Sequence, residues 1–126
     1  MYVDTNIIVD LLRNEPKAKI FFENYTGCIR TSIIVKLELI DGLKTKHEIP
    51  NLNKRVIRAF QIDVIQISDE VSKAAEKIFI DFRHSHGVSV NDSIIAATSL
   101  AASEPLATHN TKHFDFIPGL KLIAPY

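Results

Sequence analysis

Short apolar runs alternate with amphipathic stretches along the whole chain. This alternation is typical of a parallel sheet with helices packed on its faces. Five apolar runs predict short strands, at residues 1–3, 28–30, 62–67, 105–108 and 121–123. We therefore expect an α/β sandwich with a central parallel sheet of four to five short strands, because crossover connections place helices on both of its sides.

The clearest helical pattern follows Ser68, whose side chain is suited to an N-terminal cap. Apolar residues then recur at the spacing i, i+3, i+4, i+7, i+8 and i+11, at Val71, Ala74, Ala75, Ile78, Phe79 and Phe82. Gly87 is suited to end this helix. The pattern Ser89-x-x-Asp92 predicts a capping box and the start of another helix.

Weaker patterns predict four further helices. Thr5 or Asn6 is expected to cap the first, and Pro16 suits the first turn of the second. Thr31 or Ser32 is expected to cap the third, and residues 50–60 are expected to form the fourth. The predicted inner faces are Ile7, Ile8, Leu11 and Leu12 in the first helix, Ile20, Phe21 and Phe22 in the second, and Ile33, Ile34, Leu37 and Ile40 in the third.

Length and composition limit the class of protein. A chain of 126 residues predicts one domain, residues 1–126. Its 15 basic and 15 acidic residues cancel, so no overall field draws the protein to nucleic acid or to a membrane. Cys28 is the only cysteine, which excludes an intramolecular disulfide, and we expect it to be buried as a small apolar side chain. With no signal-peptide or membrane-spanning pattern, the chain is expected to be cytoplasmic.

Three acidic residues are candidates for chemistry, because ligands of open α/β sheets bind at the carboxyl ends of the strands. Asp4 follows the first strand, Glu38 lies in the helix after the second, and Asp92 opens the helix before the fourth. Carboxylates gathered in one pocket repel one another unless a cation neutralises them. Oxygen ligands favour Mg²⁺ or Mn²⁺ over zinc.

Each acid also has a purely structural explanation. Asp4 is placed to cap the first helix, and Glu38 is suited to a solvated position on a helix. Asp92 is suited to the last position of a capping box. Taken one at a time, the three residues do not distinguish structure from function.

Several segments in a fixed order carry a resemblance to a known family. They are Val3-Asp4-Thr5-Asn6, Glu38-Leu39 followed by Gly42, Asp92-x-x-Ile95-Ala96-Ala97, Thr108-x-Asn110-Thr111 with Phe114, and Ile117-Pro118-Gly119-Leu120. In these segments, which span nearly the whole chain, the sequence resembles PIN-domain ribonucleases, and among them the short VapC-type toxins of toxin–antitoxin pairs.

The resemblance implies a PIN-like three-layer sandwich and a metal-dependent endoribonuclease that hydrolyses RNA phosphodiester bonds. The family's metal-binding acids fall on Asp4, Glu38 and Asp92, with Mg²⁺ or Mn²⁺ as the implied ion. Thr5, Asn6 and Thr108 are the residues implied to support them. The family's fourth acidic position falls on Asn110, which supplies no charge, and Asp115 would add that charge at longer reach.

The resemblance also implies partners, namely an RNA substrate, a cognate antitoxin and a second copy of the chain in a homodimer. The apolar first helix is a candidate for the dimer interface, although a core role explains it equally well. Candidate phosphate contacts are Arg13, Lys17, Lys19, Lys44, Lys46, Lys54, Arg55, Arg58, His109, Lys112 and His113. The alternative hypothesis is a catalytically inactive PIN domain that binds RNA or a protein. A receiver-like domain is excluded, because its acidic residue would lie in the middle of the chain.

Overall fold

Strand β1 (Tyr2–Val3) lies at the centre of a five-stranded sheet in the computed structural model, which describes all 126 residues. The other strands are β2 (Ile29–Ser32), β3 (Ile62–Ile65), β4 (Leu106–Ala107) and β5 (Leu122–Ile123). All pairings are parallel, and the order across the sheet is β3-β2-β1-β4-β5. The predicted parallel sheet of four to five short strands is confirmed.

Six helices flank the sheet, so the predicted α/β sandwich is confirmed. They are α1 (Thr5–Leu12), α2 (Pro16–Asn24), α3 (Ile33–Asp41), α4 (Ile49–Leu52), α5 (Asp69–His86) and α6 (Val90–Ala102). The predicted helix over residues 50–60 is α4 continued by a π-helical segment, Asn53–Arg58. Short 3-10 turns occupy Lys46–Glu48 and Thr111–His113. None of the helices combines the length and the apolar character needed to cross a membrane.

The strand order places a switch point between β1 and β4. The chain proceeds from β1 to β2 and β3 on one side, and β4 then pairs with the other side of β1. In open parallel sheets, ligands bind in the crevice at the carboxyl ends of the strands at such a point. Asp4 directly follows β1, and Thr108 directly follows β4. The topology therefore brings together two residues that are distant in sequence.

The hydrophobic core forms a single cluster of 24 buried residues. Every residue from Met1 to Val3 is buried, which explains why β1 is apolar throughout rather than alternating. Ile7, Ile8 and Leu11 of α1 pack into the same cluster. These three side chains thus belong to the chain's own core, and they are not available for a homodimer interface.

Hydroxyl caps begin three of the helices as predicted. Ser32 Oγ accepts from Ile34 N at 3.2 Å, Ser68 Oγ from Val71 N at 3.1 Å and Ser89 Oγ from Asp92 N at 3.0 Å. Gly87 ends α5 in the left-handed conformation, with φ of 67°. The cap of the first helix is Asp4, which confirms the structural explanation given for that residue, and the alternative caps Thr5 and Asn6 are wrong.

The predicted inner faces of α2 and α3 are partly wrong. Ile20 is 56% exposed and Leu37 is 51% exposed. The residues that enter the core are Ala18 and Phe22 in α2, and Val35 and Leu39 in α3, in each case at i, i+4 spacing. Apolar side chains occupy more than one face of both helices, so hydrophobicity alone does not determine which face is buried.

Cys28 is exposed, and the expectation that it is a buried apolar side chain is wrong. It precedes β2, outside the buried strand that begins at Ile29. Its carbonyl oxygen accepts a hydrogen bond from the Met1 ammonium at 2.9 Å. The backbone of Cys28 is therefore used to anchor the start of β1, while its side chain faces away from the core.

The cap of α5 gives a test of this architecture. We expect Ser68→Ala to lower the free energy of unfolding by about 1 kcal/mol, because the Val71 N–H loses its acceptor. Urea denaturation measures the change. Ser72→Ala, at an exposed position within the same helix, is the matched control and is expected to leave stability nearly unchanged. Equal effects of the two substitutions would contradict the capping role.

Candidate active site

Asp4 joins the central strand to the first helix. Its backbone N–H donates to Ala107 O at 3.0 Å, which continues the pairing of β1 with β4. Its carboxylate is 6% exposed and caps α1 by accepting from Thr5 N at Oδ1, 2.7 Å away. Oδ2 accepts from Thr108 Oγ1 at 2.7 Å and from Asn6 Nδ2 at 3.4 Å. Donors from both sides of the switch point therefore fix the orientation of this carboxylate.

Glu38 reaches the same region from α3. Its Oε1 accepts a hydrogen bond from Thr5 Oγ1 at 3.1 Å, so Thr5 links Glu38 to the residue next to Asp4. Burial raises the pKa of Glu38, and repulsion from the carboxylates of Asp4 and Asp92 raises it further. The side chain is half-buried rather than freely solvated.

Asp92 lies in the first turn of α6. Burial raises the pKa of Asp92, and repulsion from Asp4 adds to the increase. Its Oδ2 lies 3.4 Å from Nδ1 of His113, whose side chain is 59% exposed. His113 was a candidate phosphate contact in the sequence, and the structure places it directly beside one of the three acids.

Asp4, Glu38 and Asp92 thus lie in the same region at the switch point, where the charge of Asp4 raises the pKa values of both other acids. No three side chains of histidine, cysteine or acidic type surround a single point closely enough to hold an ion as they stand. The donor chemistry nevertheless fits Mg²⁺ or Mn²⁺, because all three donors are carboxylates. A divalent cation would relieve the repulsion that raises the pKa values of Glu38 and Asp92.

Of the supporting residues implied by the sequence, Thr5, Asn6 and Thr108 contact the acids, as described above. Thr108 is fully buried, and its Oγ1 also accepts from Asn110 N at 3.0 Å. This bond holds the backbone of Asn110 at the rim of the candidate site. The side chain of Asn110 forms no hydrogen bond to the three acids. Asp115 is exposed, and its carboxylate forms no hydrogen bond or ion pair with them either.

Arg55, a candidate phosphate contact from the middle of the sequence, lies away from this cluster. Arg55 Nη2 donates to Asn14 Oδ1 at 3.0 Å, just beyond the C-terminal end of α1. Asp4 lies at the opposite end of that helix, and eight helical residues span about 12 Å. His113, in the 3-10 turn Thr111–His113, is instead directly beside Asp92.

Sequence reasoning missed a group of contacts around Asp10 on α1. His109 Nε2 lies 3.0 Å from Asp10 Oδ2, and Tyr126 OH donates to the same oxygen at 2.7 Å. Asn6 and Asp10 are separated by one helical turn, which is a weak signal of a shared polar face. The partner Tyr126 is 116 residues further along the chain, and no local pattern could have indicated it.

The chain was compared with known proteins. Residues 1–119 match the model of the PIN domain. Over 125 residues the sequence is 29% identical to Ribonuclease VapC19 of Mycobacterium tuberculosis, covering 94% of this chain and 95% of that protein. Over 123 residues it is 28% identical to the tRNA(fMet)-specific endonuclease VapC of Shigella flexneri, covering 94% and 92% of the two chains.

Two solved structures have a fold similar to that of this chain. The fold is similar to a chain of a toxin-antitoxin complex from Klebsiella pneumoniae, with a TM-score of 0.77, 28% identity and coverage of 99% of this chain and 97% of that one. A chain of the DNA-bound VapBC from Salmonella typhimurium matches with a TM-score of 0.80 at 23% identity, covering 97% and 95% of the two chains, and supports the fold alone.

The chain therefore belongs to the PIN-domain family. Within that family, its sequence and its fold place it with the VapC ribonucleases, the toxins of toxin–antitoxin pairs. The resemblance noted in the sequence is confirmed over nearly the whole chain.

The coupled acids predict that the site destabilises the fold when no cation is bound. The folded-state pKa of Asp92 lies above its ordinary value of 3.8, so wild-type stability falls as the pH rises through this pKa. We expect Asp92→Asn to raise the free energy of unfolding at pH 7 in the presence of chelator. The gain should vanish below about pH 3.8, where the wild-type carboxyl is protonated in both states.

Chemical denaturation at several pH values measures this difference. Asp63→Asn is the matched control, because Asp63 is exposed on β3 and lies outside the cluster. We expect the control to leave stability unchanged. A loss of stability in Asp92→Asn at pH 7 would show that the carboxylate acts mainly as a structural cap.

Proposed function

We propose that this protein is a Mg²⁺- or Mn²⁺-dependent endoribonuclease that hydrolyses phosphodiester bonds of a structured RNA. A cognate antitoxin would hold it inactive. One domain, residues 1–126, would carry the whole site, with Asp4, Glu38 and Asp92 as metal ligands. The observation that carries the proposal is the cluster of these three carboxylates at the switch point of a PIN-domain sheet. Two of them have a raised pKa that a divalent cation would lower.

The bound ion would supply Lewis acidity, which activates water and neutralises the charge that develops on the phosphate. The chain's own residues would orient the ligands. Thr108 and Asn6 donate to Oδ2 of Asp4, and the backbone N–H of Thr5 donates to Oδ1. A fixed carboxylate needs less reorganisation when the substrate arrives.

The rim of the site would bind the substrate. His113 is exposed beside Asp92, and the neighbouring Lys112 is exposed on the same 3-10 turn, so both are suited to contact an RNA phosphate. Asn110 would act at the same rim through its side-chain amide, which can accept or donate a hydrogen bond. Asp115 would contribute charge at longer range only, since it does not touch the acids.

The proposed partners are an antitoxin, a second copy of the chain and an RNA substrate. The antitoxin is supported by the similarity to the Klebsiella pneumoniae toxin-antitoxin complex. A homodimer would need apolar surface, and Ile20, Leu37, Ile80 and Val90 are exposed. The relative from Shigella flexneri is named as specific for tRNA(fMet), which makes transfer RNA the first substrate to test. An RNA substrate of this kind would place the protein in the cytoplasm.

The direct test is cleavage of transfer RNA and ribosomal RNA by the purified protein with Mg²⁺ or Mn²⁺. We expect Asp4→Asn to lower the cleavage rate at least about 100-fold, because a neutral amide supplies no charge to the ion. Chelator should have the same effect on the wild type. Gel analysis measures the cut products, and Asp63→Asn serves as the active control.

Metal-dependent cutting that persists at the wild-type rate in Asp4→Asn would contradict the assignment of the metal site. Absence of cutting, combined with no heat of Mn²⁺ binding in calorimetry, would favour the alternative of an inactive PIN domain that binds RNA or a protein.

The neutral Asn110 leads to a separate prediction. We expect Asn110→Asp to tighten Mn²⁺ binding several-fold, because a fourth negative charge at the rim increases the attraction for a divalent cation. Isothermal titration calorimetry measures the affinity. Asn24→Asp, at an exposed residue at the end of α2, is a control for the added charge. An unchanged Mn²⁺ affinity in Asn110→Asp would place Asn110 outside the metal site.

A further inference from the structure

The loop that follows β4 contacts α1 and its N-cap residue at three positions, which are Asp4, Asn6 and Asp10. Thr108 Oγ1 donates to Asp4 Oδ2 at 2.7 Å, and His109 N donates to Asn6 Oδ1 at 3.2 Å. The ring Nε2 of His109 lies 3.0 Å from Asp10 Oδ2. Because Asn6 and Asp10 are four residues apart, they project from the same side of α1. One residue, His109, therefore bridges two turns of the helix.

Tyr126, from the segment after β5, completes this arrangement. Its hydroxyl donates to Asp10 Oδ2 at 2.7 Å. The edge of its ring packs against His109, with 4.7 Å between the ring centroids. Burial and the contact with Asp10 both raise the pKa of Tyr126, so the hydroxyl keeps its proton at neutral pH and acts as the donor. We call Asp10, His109 and Tyr126 the Asp10 cluster.

We propose that the Asp10 cluster positions the catalytic carboxylate of Asp4 by holding Asn6 and the loop after β4 in register with α1. Its members act as positioning residues, since none of them touches the three acids. This inference rests on the proposed nuclease function for its effect on activity. Its effect on the loop is independent of that function.

The hydrogen bonds of the loop support this role. Thr108 N donates to Ile123 O at 3.0 Å, which is the last bond of this segment to the sheet. His109 N is bonded to the side chain of Asn6 instead of to a backbone group. The next backbone anchor is the 3-10 turn, where His113 N donates to Asn110 O at 3.0 Å. Between these anchors, both hydrogen bonds of His109 are to side chains of α1.

The connection from the cluster to Asp4 passes through two side chains. Asn6 accepts from His109 N at Oδ1 and donates through Nδ2 to Asp4 Oδ2 and to Thr108 Oγ1. The side chains of Asn6 and Thr108 are the only donors to Asp4 Oδ2. Thr108 is anchored to the sheet, whereas Asn6 is held by His109, so a displaced His109 would remove one of the two restraints on this oxygen.

The test compares two tyrosine-to-phenylalanine substitutions. Tyr126→Phe removes the hydroxyl that binds Asp10 and keeps the ring that packs on His109. Tyr25→Phe is the matched control, because the hydroxyl of Tyr25 forms no hydrogen bond to another residue. With an RNA that the wild type cuts, we expect Tyr126→Phe to lower kcat roughly tenfold with little change in KM. The melting temperature should stay close to that of the wild type, as it should in the control.

Two further measurements do not depend on RNA cleavage. Amide hydrogen exchange followed by NMR should show faster exchange at His109 N–H in Tyr126→Phe than in the wild type, because the loop opens more often. Mn²⁺ affinity measured by calorimetry should fall several-fold. Asp10→Asn keeps an oxygen acceptor, and we expect it to retain more Mn²⁺ affinity than Asp10→Ala.

The outcomes separate the two proposals. If the wild type neither cuts RNA nor binds Mn²⁺, the nuclease proposal fails, while faster exchange at His109 in Tyr126→Phe would still support the role of the Asp10 cluster in holding the loop. Unchanged exchange at His109 would overturn the cluster's role in holding the loop. Faster exchange with unchanged kcat and unchanged Mn²⁺ affinity would overturn its role in positioning Asp4.

Discussion

The fold and the candidate site both depend on the buried carboxylate of Asp4. This one side chain follows the central strand, caps the first helix and accepts a hydrogen bond from Thr108 across the switch point. A buried carboxylate is stable only when donors satisfy its oxygens. The donors that do so come from α1 and from the loop after β4, so the carboxylate ties together the two halves of the sheet where they meet.

Glu38 and Asp92 add partly buried negative charge that the fold itself does not neutralise. The pKa values of Glu38 and Asp92 are raised by burial and by mutual repulsion, which means that their ionised forms destabilise the folded chain at neutral pH. The apolar core and the long pair of helices α5 and α6 must offset this loss. Such a local conflict is typical of a functional site, where charge is kept for a ligand.

Local patterns in the sequence predicted most of the fold. The predicted strands are present, and the predicted helix ends at Ser68, Gly87 and Ser89 are correct. These features could be predicted because caps and apolar runs depend on residues that are close in sequence. The inner faces of α2 and α3 were predicted only in part, because both helices carry apolar residues on more than one face and tertiary packing selects the buried one. The side-chain orientation of Cys28 and the Tyr126–Asp10 contact likewise depend on residues far away in the chain.

The structural explanations for the three acids are not alternatives to the functional one. Asp4 does cap α1, and it still faces Thr108 with its second oxygen. The capping box at Ser89 is only half formed, because Ser89 Oγ accepts from Asp92 N while no return bond runs from Ser89 N to the carboxylate. That carboxylate lies beside His113 instead, and burial raises its pKa. The placement of Asp92 is therefore set both by the start of α6 and by its neighbour His113.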